Sequence, residues 1–78
     1  MISASPPIVI NLVSSCLATA AYDDGHRQLR IHFRDGSAYD YQGVPPALFA
    51  SLAAAPSQGS FFNLHIRDHF PCARVNEN

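Results

Sequence analysis

The alternation of apolar and polar positions is sharpest at the centre of the chain, where Leu29-Arg30-Ile31-His32-Phe33 and Ser37-Ala38-Tyr39-Asp40-Tyr41 flank Arg34-Asp35-Gly36. A period of two on either side of an Asp-Gly turn signal predicts a β-hairpin. Two registers compete. A two-residue loop at Asp35-Gly36 pairs His32 with Tyr39 and Arg30 with Tyr41, gathering both tyrosines on the arginine face as a basic, aromatic platform. A three-residue loop, with Gly36 in the left-handed position of a bulge, pairs Ile31 with Tyr39 and Leu29 with Tyr41. A slip of one residue exchanges the two faces, so the choice decides whether the tyrosines are core or surface. The longer loop is favoured. It leaves Asp40 beside Arg30 and His32 instead of burying an unpaired carboxylate opposite Ile31, and it sends the tyrosine rings inward with their hydroxyls at the rim.

Val13 to Tyr22 is rich in small residues and ends at Asp23-Asp24-Gly25, a strong turn signal, so a strand is expected there. It makes a three-stranded antiparallel meander with the hairpin, this being the shortest connection. Pro45-Pro46 suits the first turn of a helix running from about Pro46 to Ala54, with Leu48, Phe49 and Leu52 as a narrow apolar stripe. Pro56 stops it. Ser57 is a good N-cap for a second helix to about His69, whose stripe is Phe62, Ile66 and Phe70, with Gly59 near the same face marking close backbone packing. The expected fold is α+β: three antiparallel strands followed by two helices on one face. Residues 1–9 read as a flexible or edge-strand extension, 10–71 as a single domain and 72–78 as a frayed tail. Ile8-Val9-Ile10 either extends the first strand or adds to a sheet edge, its own or a partner's.

Composition narrows the function classes. The 78 residues are 47% hydrophobic but only 14% charged, all five basic residues are arginine, and the formal net charge is −1. A protein that grips duplex DNA by neutralising phosphates needs a clear positive excess, so that class is disfavoured. No apolar run is long enough to span a membrane, and no positive region precedes the short apolar segment near the start, so the reading is cytoplasmic. Cys16 and Cys72 are then expected as free thiols.

The sequence resembles the KTSC domain, a short module named for its occurrence at the C-terminus of some lysyl-tRNA synthetases and also found alone in bacteria. The resemblance runs from about Val13 to Pro71. It rests on Val13-Ser14-Ser15, Tyr22-Asp23, Leu29-x-Ile31-x-Phe33, Gly36, Tyr39-x-Tyr41, Val44-Pro45, Leu52, Ala55-Pro56-Ser57-x-Gly59, Phe62-Asn63, Ile66-Arg67 and the terminal aromatic Phe70. Phe70 stands where tyrosine is usual, and the lysines common in relatives are missing. The resemblance implies a fold and a candidate surface; the synthetase link suggests RNA binding by association, and aminoacylation is not implied.

The candidate nucleic-acid-binding residues are Arg30, Arg34, Tyr39, Tyr41, Asn63 and Arg67, with single-stranded RNA or tRNA as the better target. Stacking of bases on aromatic rings tolerates low net charge better than phosphate contacts do. The alternative is a protein-interaction module or a homo-oligomer formed through the N-terminal strand. His65, His69 and Cys72 have a spacing that could bridge an ion, but two surface histidines beside an apolar stripe are the simpler reading. No paired acid and base is apparent, so neither catalysis nor a cofactor is expected.

Overall fold

The computed structural model describes residues 7–75. Its elements are strands β1 (Ile8–Asn11), β2 (Leu17–Asp23), β3 (Gln28–Phe33) and β4 (Ala38–Gln42), helices α1 (Pro46–Ala54) and α2 (Gln58–His65), and strand β5 (Cys72–Arg74). The strands form one antiparallel sheet in the order β1-β2-β3-β4-β5, so the fold is α+β with five strands where the sequence pattern predicts three. The inner three are the predicted meander. Of the outer two, β1 realises the edge-strand alternative for Ile8-Val9-Ile10 on the chain's own sheet, whereas β5 arises in the segment expected to be a frayed tail. Ile8 to Asn11 folds back on β2 as a hairpin, and Cys72 to Arg74 returns to β4 after both helices.

The hairpin has the longer loop. Leu29 faces Tyr41, Arg30 faces Asp40, and Ile31 faces Tyr39. Phe33 N–H donates to Ser37 O at 2.8 Å, Gly36 N–H donates to Phe33 O at 3.0 Å, and Gly36 takes a φ of 96°, a conformation in which a Cβ is strained. One row across the sheet is therefore Ile8, Tyr22, Leu29, Tyr41 and Cys72, and the next on the same face is Ile10, Ala20, Ile31, Tyr39 and Arg74. That face carries the core. Tyr22, Leu29, Ile31 and Tyr41 are buried there with Phe49 and Leu52 of α1, Phe62 of α2, and Ile66 just past it. Tyr22 stacks on Phe49 with centroids 4.8 Å apart, while Phe62 sits edge-on to both Phe33 and Tyr41. The Tyr22 hydroxyl donates to the buried Val44 carbonyl at 2.6 Å, satisfying both groups.

The opposite face presents Val9, Ala21, Arg30, Asp40 and Ala73 in one row. Here Arg30 grips Asp40 through two bonds, Nε to Oδ1 at 2.7 Å and an Nη to Oδ2 at 3.0 Å. The pairing answers the register argument, for the carboxylate lies beside its arginine and away from the core.

Helix α2 ends four residues before the predicted His69. Arg67 N–H reaches back to Phe62 O at 2.9 Å, and Asp68 adopts a left-handed φ of 68°. The turn redirects the chain so that Pro71 O accepts from Gln42 N–H at 2.9 Å and β5 can pair with β4. Continuing the helix would carry β5 away from the sheet.

Candidate functional site

An open groove of about 1040 Å³ lies where α2, the loop entering β2 and the end of the β3–β4 hairpin meet. Its floor is Phe33, Tyr39, Tyr41 and Phe62, and its rim holds Ser14, Ser15, Cys16, Arg34, Asp35, Ser57, Ser60, Asn63, Arg67, Asp68 and Cys72.

Each wall has a local cause. Ser14 Oγ accepts from the N–H groups of Cys16 and Leu17, both at 3.1 Å, which tightens the turn into β2. The same oxygen lies where a Cβ on Gly59 would come within 3.0 Å, so α2 approaches this turn at its glycine. Val13 N–H donates to Gln58 Oε1 at 2.7 Å and ties the loop to the helix start. Ser57 caps α2, accepting from Ser60 N–H at 3.4 Å.

Five of the six sequence candidates line this groove: Arg34, Tyr39, Tyr41, Asn63 and Arg67. Arg30 does not. It stands on the other side of the sheet in its pair with Asp40. Tyr41 is buried, and burial pushes its phenol up to about 12. Tyr39 is half-buried, its ring edge-on to Phe33 at 5.8 Å, which leaves it the more accessible of the two aromatic candidates. Arg34 is exposed and donates Nε–H to Ser14 O at 2.7 Å, so its guanidinium is steadied across the groove. Arg67 Nη1 and Asn63 Oδ1, one turn apart, are 3.5 Å from each other.

The electrostatics are nearly balanced, with Arg34 and Arg67 set against Asp35 and Asp68. The Ser37 hydroxyl donates to Asp35 Oδ1 at 2.6 Å and holds that carboxyl below its usual range, so Asp35 stays charged. Sequence reasoning missed the serine wall formed by Ser14, Ser57 and Ser60, and also Cys72. The one available signal was Gly59, whose expected close packing marks where helix and loop meet. Among the described residues no group of three or more His, Cys, Asp or Glu side chains could hold a metal ion. Among them, too, no helix is long and apolar enough to cross a membrane.

The fold and groove together define a short α+β domain, a meander with two helices on one face and a concave, mixed-charge surface beneath the second helix. The sequence model of the KTSC domain matches residues 13–70, and the chain belongs to that family. A crystal structure of a KTSC domain protein from Yersinia pestis superposes with a TM-score of 0.84 at 32% identity, covering 90% of this chain and 99% of that one. A protein of Tsukamurella paurometabola is 39% identical over 57 residues, 73% of this chain and 85% of that protein. A lysine–tRNA ligase of Nostoc punctiforme is 38% identical over 56 residues, 72% of this chain but 10% of the ligase.

Proposed function

We propose that the chain is a non-catalytic recognition module whose groove takes a short single-stranded segment of RNA. The observation that carries this reading is the convergence of Arg34, Tyr39, Asn63 and Arg67 on one concave surface floored by aromatic rings. A half-buried tyrosine offers a stacking surface, worth about 1–3 kcal/mol per base, and Asn63 and the serine hydroxyls offer donors and acceptors for base edges and the 2′-hydroxyl. The similarity to part of a lysine–tRNA ligase supports RNA over DNA by association. Since the two arginines are the groove's cations, binding weakens only gently with salt, with a log–log slope of about −1.4 for a single strand.

The test is a titration of isotopically labelled protein with a short single-stranded RNA, a folded tRNA and duplex DNA at low and physiological salt. Saturable shifts are expected at Arg34, Tyr39, Asn63 and Arg67, lost in Arg67→Ala and unchanged in Arg30→Ala. Silence at all four positions at low salt refutes the reading. A second reading, a protein-contact module, draws on Ile8 and Val9, which stand exposed on the edge strand β1.

A further inference from the structure

The two edges of the sheet are unlike. Strand β5 has three residues, follows Pro71 and carries Arg74, features that discourage further pairing. Strand β1 also follows a proline, Pro7, but it is one residue longer. Residues 1–22 contain no Asp, Glu, Lys, Arg or His, so β1 carries no charged side chain. Of the four large hydrophobic residues exposed among the described residues, Ile8 (55%) and Val9 (61%) lie on β1, and Val13 (87%) lies two residues beyond it. A neutral, apolar edge is a template for another strand.

The backbone decides how such a strand would sit. Leu12 N–H donates inward to Ala18 O, and the β1–β2 register pairs Ile10 with Ala20 and Ile8 with Tyr22. Backbone groups alternate in direction along a strand, so those of Val9 and Asn11 point away from the sheet. We propose that β1 pairs antiparallel with β1 of a second copy about a two-fold axis at Ile10, joining two five-stranded sheets into one of ten.

In this register Val9 exchanges two backbone bonds with Asn11 of the other copy, and Asn11 does the same with Val9, giving four in all. Ile10 meets Ile10 on the helix-bearing face, and Ile8 meets Leu12, so the apolar row continues across the axis. Shifting the strands to centre on Val9 would set Asn11 against Pro7, which has no N–H to donate. The edge is thus self-complementary in the Ile10-centred register, and a segment without charged side chains brings no like charges together across the axis. Each chain has one β1, so the contact is isologous and closes at a dimer.

A joint made of one strand pair is smaller than a standard stable interface, so the dimer is expected in a micromolar range, populated on going from about 1 µM to about 1 mM protein. Sedimentation equilibrium of the full chain over that range reads it directly. Val9→Pro removes only an outward N–H, in an edge position where proline is tolerated, and is expected to weaken association about tenfold or more with the monomer still folded by circular dichroism. In a Cys16→Ser, Cys72→Ser background, Ile10→Cys is expected to form an intermolecular disulfide, because the axial pair brings Cα atoms to about 4.5 Å. Val9→Cys is not, because its symmetry mate lies beyond about 7 Å. A chain that stays monomeric at the highest concentration overturns the proposal. So does a dimer that ignores Val9→Pro and cross-links no better through Ile10→Cys than through Val9→Cys, since it then forms through another surface.

Discussion

Replacing Gly59 by alanine tests the close contact between α2 and the β2 entry loop. Two effects oppose one another. Alanine is favoured over glycine by up to about 1 kcal/mol inside a helix, and Gly59 has ordinary helical backbone, so an unobstructed site would be stabilised. The new Cβ, however, would lie 3.0 Å from Ser14 Oγ, where 3.4 Å is the start of ordinary contact. Ser14 cannot yield freely. Its oxygen already accepts from Cys16 N–H and Leu17 N–H at 3.1 Å, near the long end of the useful range. Displacing it by a few tenths of an ångström forfeits much of two bonds worth about 1 kcal/mol each. The helix gain is therefore exceeded by about 1 kcal/mol, which lowers the melting temperature by roughly 4–8 °C in a domain of this size. Urea denaturation of Gly59→Ala, Ser14→Ala and the double variant measures it. In the Ser14→Ala background, Gly59→Ala is expected to become neutral or stabilising, with a coupling of about 1–2 kcal/mol. If Gly59→Ala stabilises the parent chain as it would a free helix, the close approach is wrong.

Tyr22→Phe should cost about 1–3 kcal/mol, because it strips the buried Val44 carbonyl of its 2.6 Å donor; unchanged chemical stability would contradict that bond. The Tyr41 phenol, raised by burial to about 12 from an unfolded value of 10.0, keeps its proton in the folded state at pH values where the unfolded chain has lost it. Its contribution to stability is complete below pH 10 and is lost as pH rises toward 12, with Tyr22, also raised by burial, acting in the same direction. Denaturation midpoints should fall over that window, and less so in Tyr41→Phe. A double-mutant cycle on Arg30 and Asp40 should give a coupling of about 0.5–1 kcal/mol that shrinks with added salt, the range for a partly exposed bidentate pair.

The inner three strands and both helices were legible because each carries its own periodic signal or punctuation. The Asp35-Gly36 turn with flanking alternation, and the cost of burying Asp40, were enough to select the register. Pro45-Pro46, Pro56 and Ser57 marked the helix boundaries. The outer strands were only partly legible: an edge strand at Ile8-Val9-Ile10 was one of two open readings, and β5 gave no signal. Ile8-Val9-Ile10-Asn11 has strand propensity but no tight turn signal before β2, and Cys72-Ala73-Arg74 is too short to show any period. Both depend on a neighbour that local pattern does not reveal. The residues matched by the KTSC family, 13–70, stop short of both segments. The candidate site was half legible. The six candidates stand out in the sequence by their chemistry, and five of them share a groove, yet its serine wall follows from how α2 meets the entry loop, a contact between positions more than forty residues apart.

The five-strand order has a consequence for joining this domain to other chain. All neighbours are antiparallel, so β1 and β5 run in the same direction at opposite margins, with Ile8 level with Cys72. Four strand spacings separate them, about 19 Å. Chain entering at Ile8 and leaving at Arg74 is therefore handed across the full width of the sheet. Many small domains bring their ends together and can be dropped into a loop of a host protein. Inserted into such a loop, the stretch from Ile8 to Arg74 would need linkers long enough to cross that width.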